Sequence, residues 1–382
     1  MSKIETFKEQ PDGLLYEKIA NHLRDKILNG SLLPGQSVSS ESEFCKKFSM
    51  SRGPVRQAMD LLVKERLIVR KPGRGTFVRE LINNYGKEKT DVINIGVFID
   101  DSSEMQWSGF TSEIIEGLSA AARDSWPECR LSFQFHENPH EVGAELLNRE
   151  EFSGIIFVPT GVECMNFLAS PSLVRKKPVV SFFRQIDTSN ISQFYVDHEE
   201  GSFQATDYLL RSGHERIGLV VIAPIQSRVD SRLRFEGYRR ALNQQGIKFD
   251  AALVAETGMT AAGVRSALNK MLNDKSRPTA LLIGGQALFG PCVKLLDAMK
   301  IKIPSDMSVI AFDDCIESEM HEPPISVVKQ PFIRGARLAV ERLIAEIEKM
   351  AVDTIKVSLK PELIIRDSCS LSGKRQEKQN RF

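Results

Sequence analysis

Apolar positions near the start of the chain recur at helical spacing: Leu15, Ile19, Leu23 and Ile27, with Tyr16 and Ala20 alongside. Asn29-Gly30 follows as a stop signal and Leu33-Pro34-Gly35 as a turn. Ser40-Glu41-Ser42-Glu43 has the spacing of a capping box, in which Ser40 accepts from the Glu43 amide and the Glu43 side chain reaches back. It opens a short helix with Phe44 and Phe48 inward. A brief turn at Ser49-Met50 leads to Ser51, a good N-cap, and to a second helix over 52–62. Pro54 is tolerated there because, in a first turn, its missing N–H costs no intrahelical bond. Short strands at 67–70 and 75–78 flank Lys71-Pro72-Gly73-Arg74, which predicts a hairpin with a basic, glycine-bearing tip. Residues 80–91 are polar and lose all periodicity, as a linker does.

Beyond the linker the pattern changes to short, continuous apolar runs alternating with helical ones. Strands are expected at 93–99, 131–135, 154–158, 178–182, 217–221, 279–283 and 308–312. Between them fall helices at 112–124, near 141–149, and at 200–212, 231–245 and 288–299. This alternation predicts parallel sheets covered by helices on both faces. Some 280 residues is large for one sheet, so two similar halves with a ligand cleft between them are expected.

Composition narrows the class. The 382 residues are 42% hydrophobic and 26% charged, the balance of an ordinary globular protein. No apolar run approaches the roughly 20 residues that span a bilayer, and the first residues lack a signal-peptide core. A cytoplasmic protein without a membrane partner is therefore expected. Its six cysteines follow no metal or disulfide spacing, as suits reduced, mostly buried thiols. His136-Glu137-Asn138-Pro139-His140 fits H-E-x-x-H on paper, but Pro139 and the preceding alternating strand put it in a loop, where it cannot hold zinc as a helix would. There is no P-loop, no G-x-G-x-x-G and no G-x-S-x-G. No catalytic residue, metal or cofactor is expected.

The formal charge of +1 conceals a partition. Residues 1–90 hold 17 Lys and Arg against 11 Asp and Glu, a net +6; the rest hold 34 against 39, a net −5. A basic head on an acidic body is the footprint of a nucleic-acid-binding module on a globular partner. Two helices joined by a tight turn, followed by a basic hairpin, describe a winged helix-turn-helix. Arg52 and Arg56 project from the start of its second helix, where a guanidinium reaches guanine O6 and N7. Ser40 and Ser51, at helix N-termini, suit phosphate contacts, and Arg74 between Gly73 and Gly75 suits the minor groove or phosphates.

The module over 15–79 resembles the GntR family of bacterial regulators. Leu33-Pro34-Gly35, Ser40-Glu41, Ser51-Arg52-Gly53-Pro54-Val55-Arg56-Gln57-Ala58-Met59, Leu67-Ile68 and Gly73-Arg74-Gly75-Thr76-Phe77-Val78 carry the likeness. Ser39 departs from it, standing where proline is usual. The resemblance implies a DNA-contacting set of Ser40, Glu41, Ser51, Arg52, Gly53, Pro54, Arg56, Gly73, Arg74 and Gly75.

The larger module resembles the LacI/GalR type of sugar sensor, which is related to periplasmic binding proteins. The likeness spans about 92–369 and rests on ordered segments: Val196-Asp197-His198-Glu199-Glu200-Gly201, Leu210 to Ile217, Arg232 to Tyr238, Ile303 to Asp314, Ile325 to Pro331 and Leu363 to Ser368. It implies a two-lobed α/β sensor of periplasmic-binding-protein-like type I, with Arg234 and Asp313 facing the ligand. Alternative roles are an ion pair of Arg234 with Asp230 and a capping role for Asp313. Where the family has Asn-Asp after strand 279–283, this chain has Gly284-Gly285-Gln286; Gln286 still offers hydrogen bonds but a charge is lost. Trp107 and Phe110 are candidates to stack on a sugar face.

Together the two resemblances imply a multidomain chain: winged helix-turn-helix at 1–79, linker at 80–91, sensor at 92–369 and a basic tail at 370–382. They imply a ligand-responsive repressor that binds palindromic, double-stranded operator DNA as a homodimer, with a small carbohydrate effector. A purine-like corepressor, or activation in place of repression, is the alternative. A solute-binding protein without a regulatory role is the reading from another class.

Overall fold

Spacing and capping account for the first unit. Helix α1 (Asp12–Leu28) turns Ile19 and Leu23 inward, and α2 (Glu41–Phe48) adds Phe44. The capping box forms as expected: the Glu43 amide donates to Ser40 Oγ (3.2 Å), and the Ser40 amide donates to Glu43 Oε2 (2.8 Å). Helix α3 (Arg52–Lys64) buries Val55, Ala58, Met59 and Leu62 on the same cluster. The hairpin follows as β2 (Ile68–Lys71) and β3 (Gly75–Val78), paired antiparallel, and β3 also pairs with a two-residue strand, β1 (Ser37–Val38), which the sequence pattern had not suggested.

In this computed structural model the described residues are 12–28, 32, 36–48, 51–64, 67–71, 73–78, 92–100, 109–126, 128–136, 142–170, 176–188, 190–273, 277–349 and 353–371. The turns at 33–35 and 49–50, Pro72, the linker 80–91, Trp107, residues 137–141 and the tail from 372 lie outside them. The chain divides into two compact units, Met1–Asp91 and Val92–Phe382.

The second unit holds two six-stranded sheets, which define two lobes. Lobe 1 begins with β4 (Ile93–Asp100), α4 (Gly109–Ser125), β5 (Cys129–His136), α5 (Ala144–Asn148), β6 (Gly154–Val158), α6 (Val162–Ala169), β7 (Val179–Phe183) and β8 (Ser192–Val196). Because β5 runs through His136, the H-E-x-x-H pattern starts at a strand end. Lobe 2 follows with α7 (His198–Arg211), β9 (Ile217–Ile222), α8 (Val229–Gln244), β10 (Val254–Thr257), α9 (Ala261–Leu272), β11 (Ala280–Gly284), α10 (Gln286–Ala298), β12 (Ser308–Phe312), α11 (Ile316–Met320) and β13 (Ser326–Lys329).

The chain then returns. Helix α12 (Phe332–Ile347) packs on α4 and on the lobe 1 sheet, β14 (Lys356–Leu359) joins that sheet beside β8, and β15 (Glu362–Ile364) closes the lobe 2 sheet. The strand orders are β14-β8-β7-β6-β4-β5 and β10-β9-β11-β12-β13-β15, parallel throughout except for the β13–β15 pair. Three crossovers join the lobes, at 196–198, 329–332 and 359–362. In doubly wound sheets the strand C-termini open onto ligand crevices, and here those ends carry the polar residues.

Candidate functional site

In the first unit Ser51, Arg52, Gly53, Arg56 and Gln57 are exposed at the start of α3, whereas Pro54 is buried in its first turn. The inward Pro54 and Val55 fix the helix, and the two arginines, four residues apart, lie on its outer side. At the hairpin tip Gly73 and Gly75 have φ of 70° and 111°, so they supply the left-handed backbone that presents Arg74. Arg74 itself is exposed, and its amide donates to the Lys71 carbonyl (2.9 Å). Glu41 is engaged: Arg70 Nη2 donates to its Oε1 (3.3 Å), and Arg70 Nη1 reaches Asp60 Oδ1 of α3 (2.7 Å). Arg70 thereby ties the hairpin to both helices.

In the second unit Arg234 depends on a close helix contact. A Cβ on Gly237 would overlap the Glu199 carbonyl oxygen, so glycine lets α8 lie directly on α7. Tyr238 Oη then donates to the Ile217 carbonyl (2.9 Å), fixing the helix on β9. One turn earlier, Arg234 is buried with its guanidinium over the Phe312 ring, 4.4 Å from the centroid. Its Nη1 donates to the Gly284 carbonyl (2.7 Å), and its Nη2 lies 3.4 Å from His198 Nδ1. Gly285 has φ 152°, a backbone that residues with a side chain rarely adopt, and a Cβ there would be in ordinary contact with Arg234, 3.4 Å from Nη1. Of the two glycines at this position, Gly284 thus holds Arg234 through its backbone carbonyl.

The acidic neighbour suggested for Arg234 has another partner. Asp230 Oδ2 accepts from Arg184 Nη2 (2.5 Å), while its Oδ1 lies 3.6 Å from His198 Nε2. Arg184 directly follows β7 and so comes from lobe 1; Asp230 sits in the first turn of α8 in lobe 2. Asp313 follows β12 and accepts from Gln330 Nε2 on the second crossover and from the Gln286 backbone. Gln286 opens α10 with its Oε1 buried. Phe110 falls in the first turn of α4, but its side chain lies outside the described set. Sequence reasoning gave Arg234, Asp313 and Gln286; it did not single out Arg184 or His198.

Electrostatics follows burial. Burial would raise the Asp230 carboxyl, but the Arg184 guanidinium overrides it and holds the group well below the usual carboxylate range. Burial pushes the Asp313 carboxyl up, against the Arg234 charge and the hydrogen bond from Gln330. Burial also pushes the His198 imidazole down to about 3, although Asp230 favours its charged form. Among the described residues Arg184 Nε, Arg234 Nε, His198 Nε2, Asp230 Oδ1, Gln286 Oε1 and Gln330 Oε1 are buried without a hydrogen-bond partner. Donors and acceptors are thus mixed within one small region, which suits a ligand that presents both, as a polyol does.

The depressed His198 pKa has a measurable consequence. The unfolded imidazole titrates near 6.5 and the folded one near 3, so between these values the unfolded chain binds the extra proton. The stability this neutral group allows is complete above about pH 6.5. It falls by about 1.4 kcal/mol per pH unit as pH drops toward the folded value. Urea midpoints of the sensor transition should show this slope, and His198→Asn should flatten it.

Comparison with known proteins fits this geometry. Residues 15–78 match the bacterial regulatory proteins of the gntR family, and residues 206–369 match the periplasmic binding protein-like domain. The chain joins a gntR-family regulatory domain to a periplasmic binding protein-like domain. An arabinose metabolism transcriptional repressor from Geobacillus stearothermophilus is 27% identical over 369 residues, spanning 92% of this chain and 97% of that protein. The transcriptional repressor PurR of Pasteurella multocida is 28% identical over 173 residues, 45% of this chain and 51% of its own. Among solved structures, the complex of the transcriptional regulator CelR with cellobiose superposes with a TM-score of 0.63 at 19% identity, covering 93% of this chain and 98% of that one. This last likeness is one of fold. The gntR domain therefore carries Arg52, Arg56 and Arg74, and the periplasmic binding protein-like match takes in Asp230, Arg234, Gln286, Asp313 and Gln330.

Proposed function

We propose that the protein is a ligand-responsive transcriptional repressor that binds palindromic operator DNA as a dimer and takes a small carbohydrate in the cleft of its sensor. One observation carries the reading: a transcriptional repressor of arabinose metabolism aligns across both domains rather than across one. In this reading Arg52 and Arg56 contact base edges. Ser40, Glu41, Ser51, Gly53 and Pro54 shape or contact the backbone at the helix starts, and Gly73, Arg74 and Gly75 form the wing contact. Dimerisation matches a two-fold operator. Arg234, Gln286 and Asp313 meet the effector, because a fixed guanidinium, an amide and a carboxylate together serve sugar hydroxyls as donors and acceptors.

Thermal-shift measurements on the full chain against aldoses, disaccharides and purine bases test the effector, since a ligand of the folded state raises the melting temperature by mass action. Fluorescence anisotropy on fragments upstream of its own coding region, with and without the ligand found, tests the coupling. A carbohydrate is expected to raise the melting temperature and change DNA affinity about 5–150-fold. A purine that binds where no carbohydrate does overturns the effector class, and absence of sequence-preferring DNA binding overturns the regulator.

A further inference from the structure

We propose that Arg184 and Asp230 form a clasp between the two lobes of the sensor, a contact that must break each time the cleft opens to admit its effector. The inference rests on the reading of this cleft as the effector site, but the clasp itself is defined by the chain's own residues.

Three observations support it. The pair joins different lobes beside the first crossover: Arg184 follows β7, Asp230 lies in the first turn of α8 within 3.6 Å of His198, and Nη2 to Oδ2 is 2.5 Å. The arginine is aimed there by its neighbour. Phe183 adopts φ 111°, a left-handed conformation that costs a non-glycine residue energy and that is kept where the position matters. Its ring lies 5.4 Å from the Arg184 guanidinium and braces it. Lastly, the pair uses only part of its bonding capacity. A guanidinium and a carboxylate can make two parallel hydrogen bonds. Here Arg184 Nε and Asp230 Oδ1 are both buried without a partner among the described residues, although the side chains are only 10% and 16% exposed.

A buried pair with one bond unmade sits near balance, because loss of hydration offsets much of its attraction. It therefore closes the lobes while remaining breakable. His198, which starts α7 at the end of the first crossover, lies 3.6 Å from Asp230, so the clasp touches a segment that joins the lobes. A full bidentate pair would lock the cleft, and two neutral residues would leave it unlatched.

Hydrogen–deuterium exchange of the full chain tests the clasp without any effector. Wild type, Arg184→Met, Asp230→Asn and the charge-swapped Arg184→Asp/Asp230→Arg are compared at peptides covering 196–199, 329–332 and 359–362. Each single variant is expected to exchange at least about tenfold faster at these crossovers, with the strands β4 and β11 unchanged and the swap moving the rates back toward wild type. Unchanged crossover exchange in both single variants overturns the proposal. So does acceleration spread equally over β4 and β11, which marks general destabilisation, and so does a swap no slower than the single variants. The thermal-shift panel decides the effector reading separately, so the two can fail independently.

Discussion

Arg234→Met is expected to cost about 3–5 kcal/mol of sensor stability and to abolish the response to the effector. The side chain is buried near two carboxylates, the buried Asp313 and the largely covered Asp230. Burial works against its charge, and these two acids sustain it. Methionine fills the volume over Phe312 but removes the cation. Asp313 is then left with Gln330 and the Gln286 amide, and burial, which already raises its carboxyl, meets less opposition. The Gly284 carbonyl also loses its donor. Arg234→Lys separates charge from shape: an ammonium keeps the sign but not the planar fork that reaches Gly284 and His198 together. The lysine variant should recover part of the stability and little of the effector affinity. Urea unfolding gives the first quantity and calorimetric titration with the effector the second. A methionine variant that loses less than about 1 kcal/mol would mean that the two acids are not held by Arg234.

Much of this fold was legible because the decisive signals are local. Strands β6, β7, β9, β11 and β12 are runs of five or six residues, buried almost throughout, and buried parallel strands read as continuous apolar segments. The capping box needed only four consecutive residues. Shorter or more polar strands escaped. In β8 Gln193 is fully buried, yet it looks like a surface residue in sequence; it is buried because its amide accepts from the Ile186 backbone and donates to the Thr188 carbonyl (2.9 and 2.7 Å). The return of the chain to lobe 1 is likewise silent. Phe332, Ala336, Ala339, Val340 and Leu343 carry a helical period for α12, but nothing local says which sheet receives it.

The same distinction holds at the cleft. Arg234 was legible through the resemblance, from its place three residues before Gly237-Tyr238 in a segment the sugar-sensor family shares, and Gln286 from its place where that family has Asn-Asp after strand 279–283. Arg184 and Asp230 are 46 residues apart in sequence and meet only because two lobes bring a strand end to a helix start. The available signal was positional: Arg184 is the first charged residue after a buried strand, at the edge where doubly wound sheets bind ligands. That rule selects candidates, but it does not pair them.

The gntR domain offers a comparison between two arginines with different tasks. Arg52→Ala is expected to weaken binding to the specific operator by about 1–3 kcal/mol and to relax preference at one base pair. Arg74→Ala is expected to weaken binding to all sequences alike and to reduce the slope of log affinity against log salt by about 1. The reasoning is geometric. Arg52 lies on the exposed side of α3 in its first turn, beside a helix start whose buried Pro54 and Val55 anchor it to the core. On the proposed reading a guanidinium at that place would enter the major groove with its fork available, so its energy would depend on which base it met. Arg74 stands between two glycines with positive φ at a hairpin tip, where backbone close to the duplex favours phosphates over base edges. Arg70 is the internal control, since Glu41 and Asp60 already take its guanidinium (3.3 and 2.7 Å). Arg70→Ala should loosen the hairpin and disturb both readouts modestly rather than either one alone. Anisotropy titrations over a salt series, on the operator and on a scrambled duplex, separate the three patterns. If Arg52→Ala lowered affinity for both duplexes equally, α3 would be positioning the domain on the backbone, and the base-reading role would pass to another element.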